Sequence, residues 1–281
     1  MRILRNHAIK TIKTIFLSLS FFLILQNVSF AGIAVEPTII EMVLESEGSN
    51  AGVYTIRNEG DAGVSIKVEI EDWLALKTGV AGIPLSDWLK VEPMEFDLGP
   101  KEEKQVNYTV NIPKDYNKEV VAMVFFGTTE KYEGDYSITS RIGASIYAVR
   151  TGNINLDCSI KNMEIRRQEM KDEAGNVTGI PTIFNFDIEN TGNVHLRPTG
   201  NLIISQADNT TYDIDVPRDF AIYPGLDVWY AVRWDKMDIA PGKYRGDLKL
   251  NYGNMYNITK IIEKSFEFEV KKDGTVALIK Q

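Results

Sequence analysis

The chain has 281 residues, of which 44% are hydrophobic and 25% charged, with a formal net charge of −8 at pH 7 and a single cysteine, Cys158. The acidic balance argues against nucleic acid as a partner, because binding to phosphates requires a surface rich in Lys and Arg. One cysteine cannot form an intramolecular disulfide, so the stability of the folded chain must come from packed cores.

The first 31 residues have the pattern of a cleavable signal peptide. The basic segment Arg2–Lys13 precedes an apolar run, Ile15–Leu25, and small side chains at Ser29 and Ala31 predict cleavage after Ala31. The run is shorter than the roughly 20 residues of a membrane-spanning helix, and no second apolar run follows. We therefore expect export and no membrane span in the mature chain, with an uncleaved N-terminal anchor as the alternative.

Alternating apolar and polar residues dominate the rest of the chain. Such alternation is typical of strands with one face on a core and the other in water. Clusters of Gly, Asn, Asp and Pro separate the runs, as in antiparallel sandwiches. The fold class predicted is all-β, as two immunoglobulin-like antiparallel β-sandwich domains. The clearest runs are Val64–Glu71, Val106–Ile112, Phe184–Glu189 and Phe266–Val270.

Two short motifs occur twice in the same order. Ile56–Gly60 is matched by Ile188–Gly192, and each opens a turn after an alternating strand. Phe96–Pro100 is matched by Phe220–Pro224, and each leads into another strand. The shared order predicts the same topology built twice.

The repeat divides the chain into a first domain at residues 32–151, a second at 152–272 and a C-terminal tail at 273–281. In the second domain Tyr244 follows a tight turn at the start of a strand. This position predicts a tyrosine corner, in which the hydroxyl bonds to upstream backbone, with a half-buried strand tyrosine as the alternative.

Seven features of the first domain carry a resemblance to a known family. In sequence order they resemble the N-terminal domain of periplasmic pilus-assembly chaperones of the PapD-like family. The second domain resembles that family only as another immunoglobulin-like domain. The matching features are Gly32–Thr38, the turn after Ile56–Asn58, the strand ending in Asp72–Trp73, Val91–Pro100, Ile112–Asp115, Glu119 at the start of an apolar strand, and Arg141–Tyr147.

The resemblance implies a binding mechanism without chemistry. Chaperones of this family lend the last strand of their first domain to an incomplete pilin by β-strand addition. The candidate partner-binding residues are therefore Arg141, Ile142, Ala144, Ile146 and Ala148, of which the four apolar ones share one strand face. The alternative is that these four simply face the core of their own domain.

The sequence departs from the family at the two basic residues that hold the pilin's terminal carboxylate. Ile39 stands where an arginine should follow Thr38, and the last strand offers Gly143 or Ile146 in place of a lysine. Arg141 is the nearby basic residue that could substitute.

No catalytic residue, metal site or cofactor is predicted. His195 has no second His or Cys nearby to share a metal, so we expect a surface loop residue. Cys158 alternates with apolar neighbours and should point inward. The segment Asp172–Asn176 lacks the ligand alternation of a calcium loop and predicts a hairpin turn.

The four tryptophans could line a carbohydrate or peptide groove. Trp73 and Trp234 are in phase with the apolar faces of their strands, which predicts core packing. Trp88 and Trp229 are the candidates for the surface.

The sequence therefore predicts a non-enzymatic periplasmic chaperone or adaptor that binds a surface-fibre subunit of the pilus or fimbria type by β-strand addition. The partner expected is a protein, possibly pilin-like. The alternative is a secreted or cell-surface structural or adhesive protein, in which the sandwiches serve as spacers or binding modules.

Overall fold

A computed structural model describes residues 32–45, 48–131, 137–152, 154–216, 221–253, 256 and 258–280. The predicted signal peptide lies outside these residues. The regular secondary structure of the described chain is almost entirely β-strand, and it forms two β-sandwich domains in sequence, as the alternation predicts.

The first domain packs a four-stranded sheet on a five-stranded sheet. The four-stranded sheet is antiparallel, in the order β1-β3-β7-β5. The five-stranded sheet has the order β2-β9-β8-β4-β6, and its β2–β9 pair is parallel. The strands are β1 Ile33–Glu36, β2 Ile39–Leu44, β3 Asn50–Asn58, β4 Val64–Asp72, β5 Leu89–Glu92, β6 Glu95–Leu98, β7 Glu103–Val110, β8 Val120–Lys131 and β9 Ser137–Arg150.

A short helix, α1 (Trp73–Thr78), directly follows β4. The Asp72 side chain accepts from the Ala75 N–H at 2.9 Å and caps its first turn. Gly79 ends it with a left-handed φ of 72°, which glycine adopts without steric cost. A 3-10 turn, Leu85–Asp87, then leads into β5.

The second domain packs a three-stranded sheet, β10-β13-β16, against a five-stranded one, β15-β14-β17-β18-β19, and adds the small hairpin β11-β12. Residues Val276–Lys280, expected as part of a tail, form β19 and pair with β18. The strands are β10 Cys158–Arg167, β11 Met170–Lys171, β12 Val177–Gly179, β13 Thr182–Asn190, β14 Thr199–Gln206, β15 Thr211–Val216, β16 Asp227–Trp234, β17 Gly242–Asn251, β18 Ile261–Val270 and β19 Val276–Lys280.

The repeated motifs have the same structural role in both domains. The Asn58 side chain is fully buried and its amide donates to the Gly99 carbonyl at 2.9 Å, joining the first motif to the second. In the second domain Asn190 is also fully buried and donates to the Ile222 carbonyl at 2.7 Å. In both domains, therefore, the asparagine of the first motif bonds a main-chain carbonyl of the second motif.

The two cores meet at β9. The first core lies between the sheets of the first domain and contains Ala144, Ile146 and Ala148. Val149 points to the opposite face of the same strand and packs in the core of the second domain. A single strand thus contributes to both hydrophobic clusters.

The tyrosine corner predicted in the second domain is confirmed. The Tyr244 hydroxyl donates to the Ala240 carbonyl at 2.7 Å and accepts from the Gln206 side-chain amide at 2.8 Å. The bond to the Ala240 carbonyl fastens the turn before β17 to the strand itself.

Candidate functional site

Strand β9, which carries the predicted partner-binding residues, is longer than its neighbour β2. Pairing with β2 covers only Ser145–Arg150. From Ser137 to Ala144, β9 pairs with β8 on one side, and no strand of the described chain pairs with its other side. We call residues 140–144 the open edge.

Three of the five predicted residues lie within the core of their own domain. Ala144, Ile146 and Ala148 are each 0% exposed. This is the alternative that the sequence left open for the apolar face. While the domain is folded, these three side chains cannot be inserted into a partner.

The other two predicted residues lie on the open edge. Ile142 is half-buried and packs at the margin of the first core. The Arg141 guanidinium lies over the Phe125 ring, 4.0 Å from its centroid, and pairs with Glu71 at 3.0 Å and Glu69 at 3.6 Å. These partners hold Arg141 on the outer face of the sheet.

The direction of the backbone groups on the open edge follows from the β2 pairing. The Ser145 N–H donates to the Thr38 carbonyl of the segment leading into β2, at 2.9 Å. Backbone groups alternate in direction along a strand, so the N–H groups of Gly143 and Arg141 point to this same side, away from β8. The open edge therefore presents main-chain donors and acceptors in line with β2.

A buried ionic cluster joins the two domains near the C-terminal end of β9. Its centre is His195, in the segment between β13 and β14. The expectation of a surface loop residue was wrong, because His195 is 0% exposed. Its backbone N–H donates to Glu119 Oε2 at 2.8 Å, its Nδ1 lies 2.6 Å from Glu119 Oε1, and its Nε2 lies 3.3 Å from Glu41 Oε1.

Tyr147 and Arg197 complete this cluster. The Tyr147 ring stacks on the His195 ring with centroids 3.8 Å apart. Arg197 donates to the Tyr147 hydroxyl at 3.0 Å and to Glu41 Oε1 at 3.1 Å. The Tyr147 hydroxyl also lies 3.2 Å from the hydroxyl of Tyr223 in the second domain. We call Glu41, Glu119, Tyr147, His195 and Arg197 the junction cluster.

Burial and charge act in opposite directions on His195. Burial disfavours the imidazolium and lowers its pKa, while the carboxylates of Glu119 and Glu41 raise it, and together they hold the pKa above its usual value. Burial raises the pKa of Tyr256, whose hydroxyl donates to Glu119 Oε1 at 3.4 Å, so this phenol stays protonated.

A cavity of about 400 Å³ opens between the domains beside the junction cluster. Most of its lining is apolar, which suits an apolar side chain better than a polar ligand. The lining includes Leu74, Val80, Ile83, Tyr116 and Lys118 from the first domain and Asn193 and Pro224 from the second.

The division of the tryptophans between core and surface differs from the prediction. Trp88 is 3% exposed and belongs to the first core, so its assignment to the surface was wrong, because the 3-10 turn before it directs the ring inward. Trp229 is 45% exposed, as predicted. Trp234 is buried in the second core, and Trp73 is half-buried beside Tyr223 at the junction.

The remaining sequence candidates have structural roles. Burial, followed by the charge of Asp157, raises the pKa of the Cys158 thiol to about 12, which disfavours the reactive thiolate. Asp172 accepts from the Asn176 N–H at 2.8 Å within the β11–β12 hairpin. Within the described ranges, no group of three or more His, Cys, Asp and Glu side chains could hold a metal ion.

No helix in the described part of the chain is both long and apolar enough to cross a membrane.

No protein-family model matches the chain, and no curated protein sequence matches it. Solved structures give matches at low identity. A chaperone–tip adhesin complex of CFA/I fimbriae biogenesis is 18% identical, with 84% of this chain and 98% of that chain covered and a TM-score of 0.45. The class 5 fimbriae chaperone CfaA is 17% identical, with coverages of 83% and 98% and a TM-score of 0.42.

A third match is the Salmonella enterica SafA pilin in complex with the SafB chaperone, at 9% identity, coverages of 85% and 96% and a TM-score of 0.41. Each of the three similar structures is a chaperone or a complex that contains one. The class defined by this chain's own sheets is a two-domain β-sandwich protein.

Proposed function

We propose that this protein is a non-enzymatic periplasmic chaperone or adaptor that binds a surface-fibre subunit by β-strand addition at the open edge of β9. The observation that supports the proposal is the length of β9. This strand has 14 residues, and β2 pairs only with its last six, Ser145–Arg150. An incoming strand would continue the sheet along the line of β2.

The physical argument rests on unpaired main-chain groups. An exposed strand edge is a template for pairing with another chain and is an aggregation hazard unless it is covered or used. Because the backbone of Arg141 and Gly143 points away from β8, each can contribute a donor and an acceptor to a partner strand. Affinity would then come mainly from main-chain bonds, since the inward side chains from Ala144 onward fill their own core.

A non-enzymatic role agrees with the state of the reactive side chains. Both ring nitrogens of His195 are occupied by carboxylates. The thiol of Cys158, with its pKa raised to about 12, is a poor nucleophile near neutral pH.

Proline substitution at Arg141 tests the proposal. Proline removes the outward N–H at that position and leaves the bonds to β8 in place, as proline is tolerated on an edge strand with its nitrogen facing out. The matched control is Arg141→Gln, which also loses the ion pair with Glu71 but keeps the N–H. Each variant would be co-expressed with a fimbrial subunit in the periplasm, and co-purification measured.

We expect the wild-type protein and Arg141→Gln to retain the subunit and Arg141→Pro to lose most of it, with unchanged circular dichroism in all three. Equal capture by Arg141→Pro would contradict binding at the open edge. Hydrogen exchange gives a second readout in the unaltered protein, because the Arg141 and Gly143 amides should become protected when the subunit binds.

The exposed Trp229 supports the alternative of an adhesive or spacer module. It lies on β16, an edge strand of the three-stranded sheet, with 45% of its surface exposed. If Trp229→Ala abolished subunit capture while Arg141→Pro did not, this alternative would replace the first proposal.

A further inference from the structure

The two ring nitrogens of His195 both face carboxylate oxygens. Nδ1 lies 2.6 Å from Glu119, and Nε2 lies 3.3 Å from Glu41. A neutral imidazole carries one N–H and one lone pair, so one of these contacts would set a lone pair against a carboxylate. The imidazolium has two N–H groups and satisfies both contacts, so the geometry fits the protonated ring.

The formal charges of the five residues of the junction cluster sum to zero only when His195 is protonated. Glu41 and Glu119 contribute two negative charges, and Arg197 contributes one positive charge that is kept throughout the pH range. With His195 protonated the cluster is neutral, and without that proton it has a net charge of −1. The phenol hydroxyls of Tyr147, Tyr223 and Tyr256 also face the cluster.

The members of the cluster come from both domains. Glu41 lies on β2, and Glu119 lies next to β8, so both belong to the first domain. His195 and Arg197 lie between β13 and β14 of the second. The proton on His195 therefore controls attraction across the domain boundary and not within one core.

We propose that His195 is a proton-controlled latch, which holds the second domain against Glu119 and Glu41 of the first when the ring is protonated and loosens the junction when the proton is lost. The inference concerns the domain arrangement and does not depend on the partner proposed above. Deprotonation removes an N–H donor from the 3.3 Å contact with Glu41 first, because the 2.6 Å contact with Glu119 is the stronger.

The direction of the pH effect follows from the raised pKa of His195. A folded-state pKa above the unfolded value of about 6.5 means that the stabilisation is fully present below pH 6.5 and is lost as the pH rises through the folded pKa. The junction should be firm just below pH 6.5 and should loosen as the pH rises through the folded-state pKa of His195.

The test measures the distance between the domains. Nitroxide labels on cysteines introduced at Lys90 and Lys272, both exposed, would be placed in the full chain with Cys158→Ala. Pulsed dipolar spectroscopy from about pH 5 to about pH 10 should show a narrow distance distribution that broadens in one titration step. His195→Gln should be broad at every pH.

Two carboxylate variants form a matched pair. Glu41→Gln removes one of the two charges on His195 and should lower the midpoint of the step by about one pH unit. Glu71→Gln removes a carboxylate of the same domain that pairs with the exposed Arg141 and should leave the midpoint unchanged.

The proposal is overturned by a wild-type distribution that is the same at both ends of the pH range, or by an unchanged titration step in His195→Gln. If His195→Gln does not fold, the carboxylate pair decides, because equal midpoints for Glu41→Gln and Glu71→Gln would exclude the latch. Circular dichroism at each pH would show that broadening occurs in a folded protein.

Discussion

Substitution of Asn190 gives a direct test of how the second domain is held together. Its side-chain amide donates to the carbonyls of Val194 at 2.8 Å and Ile222 at 2.7 Å, and its Oδ1 accepts from the Gly192 N–H at 2.9 Å. The side chain is fully buried, so water cannot replace these bonds without opening the turn.

The expected loss can be worked out from these three bonds. Each buried hydrogen bond contributes about 1 kcal/mol net, so Asn190→Ala should lower the free energy of unfolding by about 3 kcal/mol. The Ile222 carbonyl keeps the Leu196 N–H as a donor at 3.0 Å, so the larger share of the penalty belongs to the Val194 carbonyl.

The isosteric variant Asn190→Asp should cost more than Asn190→Ala. Aspartate has no N–H, so one carboxylate oxygen would face the carbonyl oxygens of Val194 and Ile222 in a buried site. Its shape is almost that of asparagine, which separates the hydrogen-bond effect from packing. Asn58→Asp should repeat the result in the first domain, where the amide bonds Gly99 and Ala62 in the same way.

The assay is urea unfolding followed by circular dichroism and tryptophan fluorescence. Asn107→Ala, an exposed asparagine on β7, is the control and should change the unfolding free energy by less than about 0.5 kcal/mol. If Asn190→Asp were as stable as the wild type, or more stable than Asn190→Ala, the argument from buried carbonyls would be refuted.

Two further predictions follow from the second domain. Tyr244→Phe removes the bonds to Ala240 and Gln206 but keeps the ring, and thermal unfolding should show a loss of about 1–2 kcal/mol; an unchanged Tm would show that the corner does not stabilise the fold. Alkylation of Cys158 by iodoacetamide should be slower than that of a free cysteine at pH 8 and should accelerate in urea, since its pKa is raised to about 12; equal rates in the folded and unfolded chain would contradict burial of the thiol.

The strands were predictable because alternation is a local property. In β4, Ile66 and Val68 are buried and Ser65 and Lys67 are exposed, as the pattern of two residues per repeat requires. The repeated asparagine was recognised as a turn signal, and its fully buried side chain explains why the turn occurs in both domains.

The junction cluster was not predictable from local pattern. Glu119 and His195 are 76 residues apart, and no periodicity joins residues of different domains. A signal existed in the neighbours of His195, because Val194 and Leu196 on either side are both apolar and both fully buried. A histidine between two buried apolar residues is in an unusual setting for a surface loop.

The placement of Tyr147 and Val149 limits how the two domains could be separated by recombination during evolution. Both lie near the end of β9, Val149 in the core of the second domain and Tyr147 against its His195 ring. A shuffled gene that joined the first domain to an unrelated second one would leave Glu119 without its histidine and two large side chains in water. The two domains are therefore expected to be inherited as a pair, with the boundary between residues 151 and 152 a poor point for recombination.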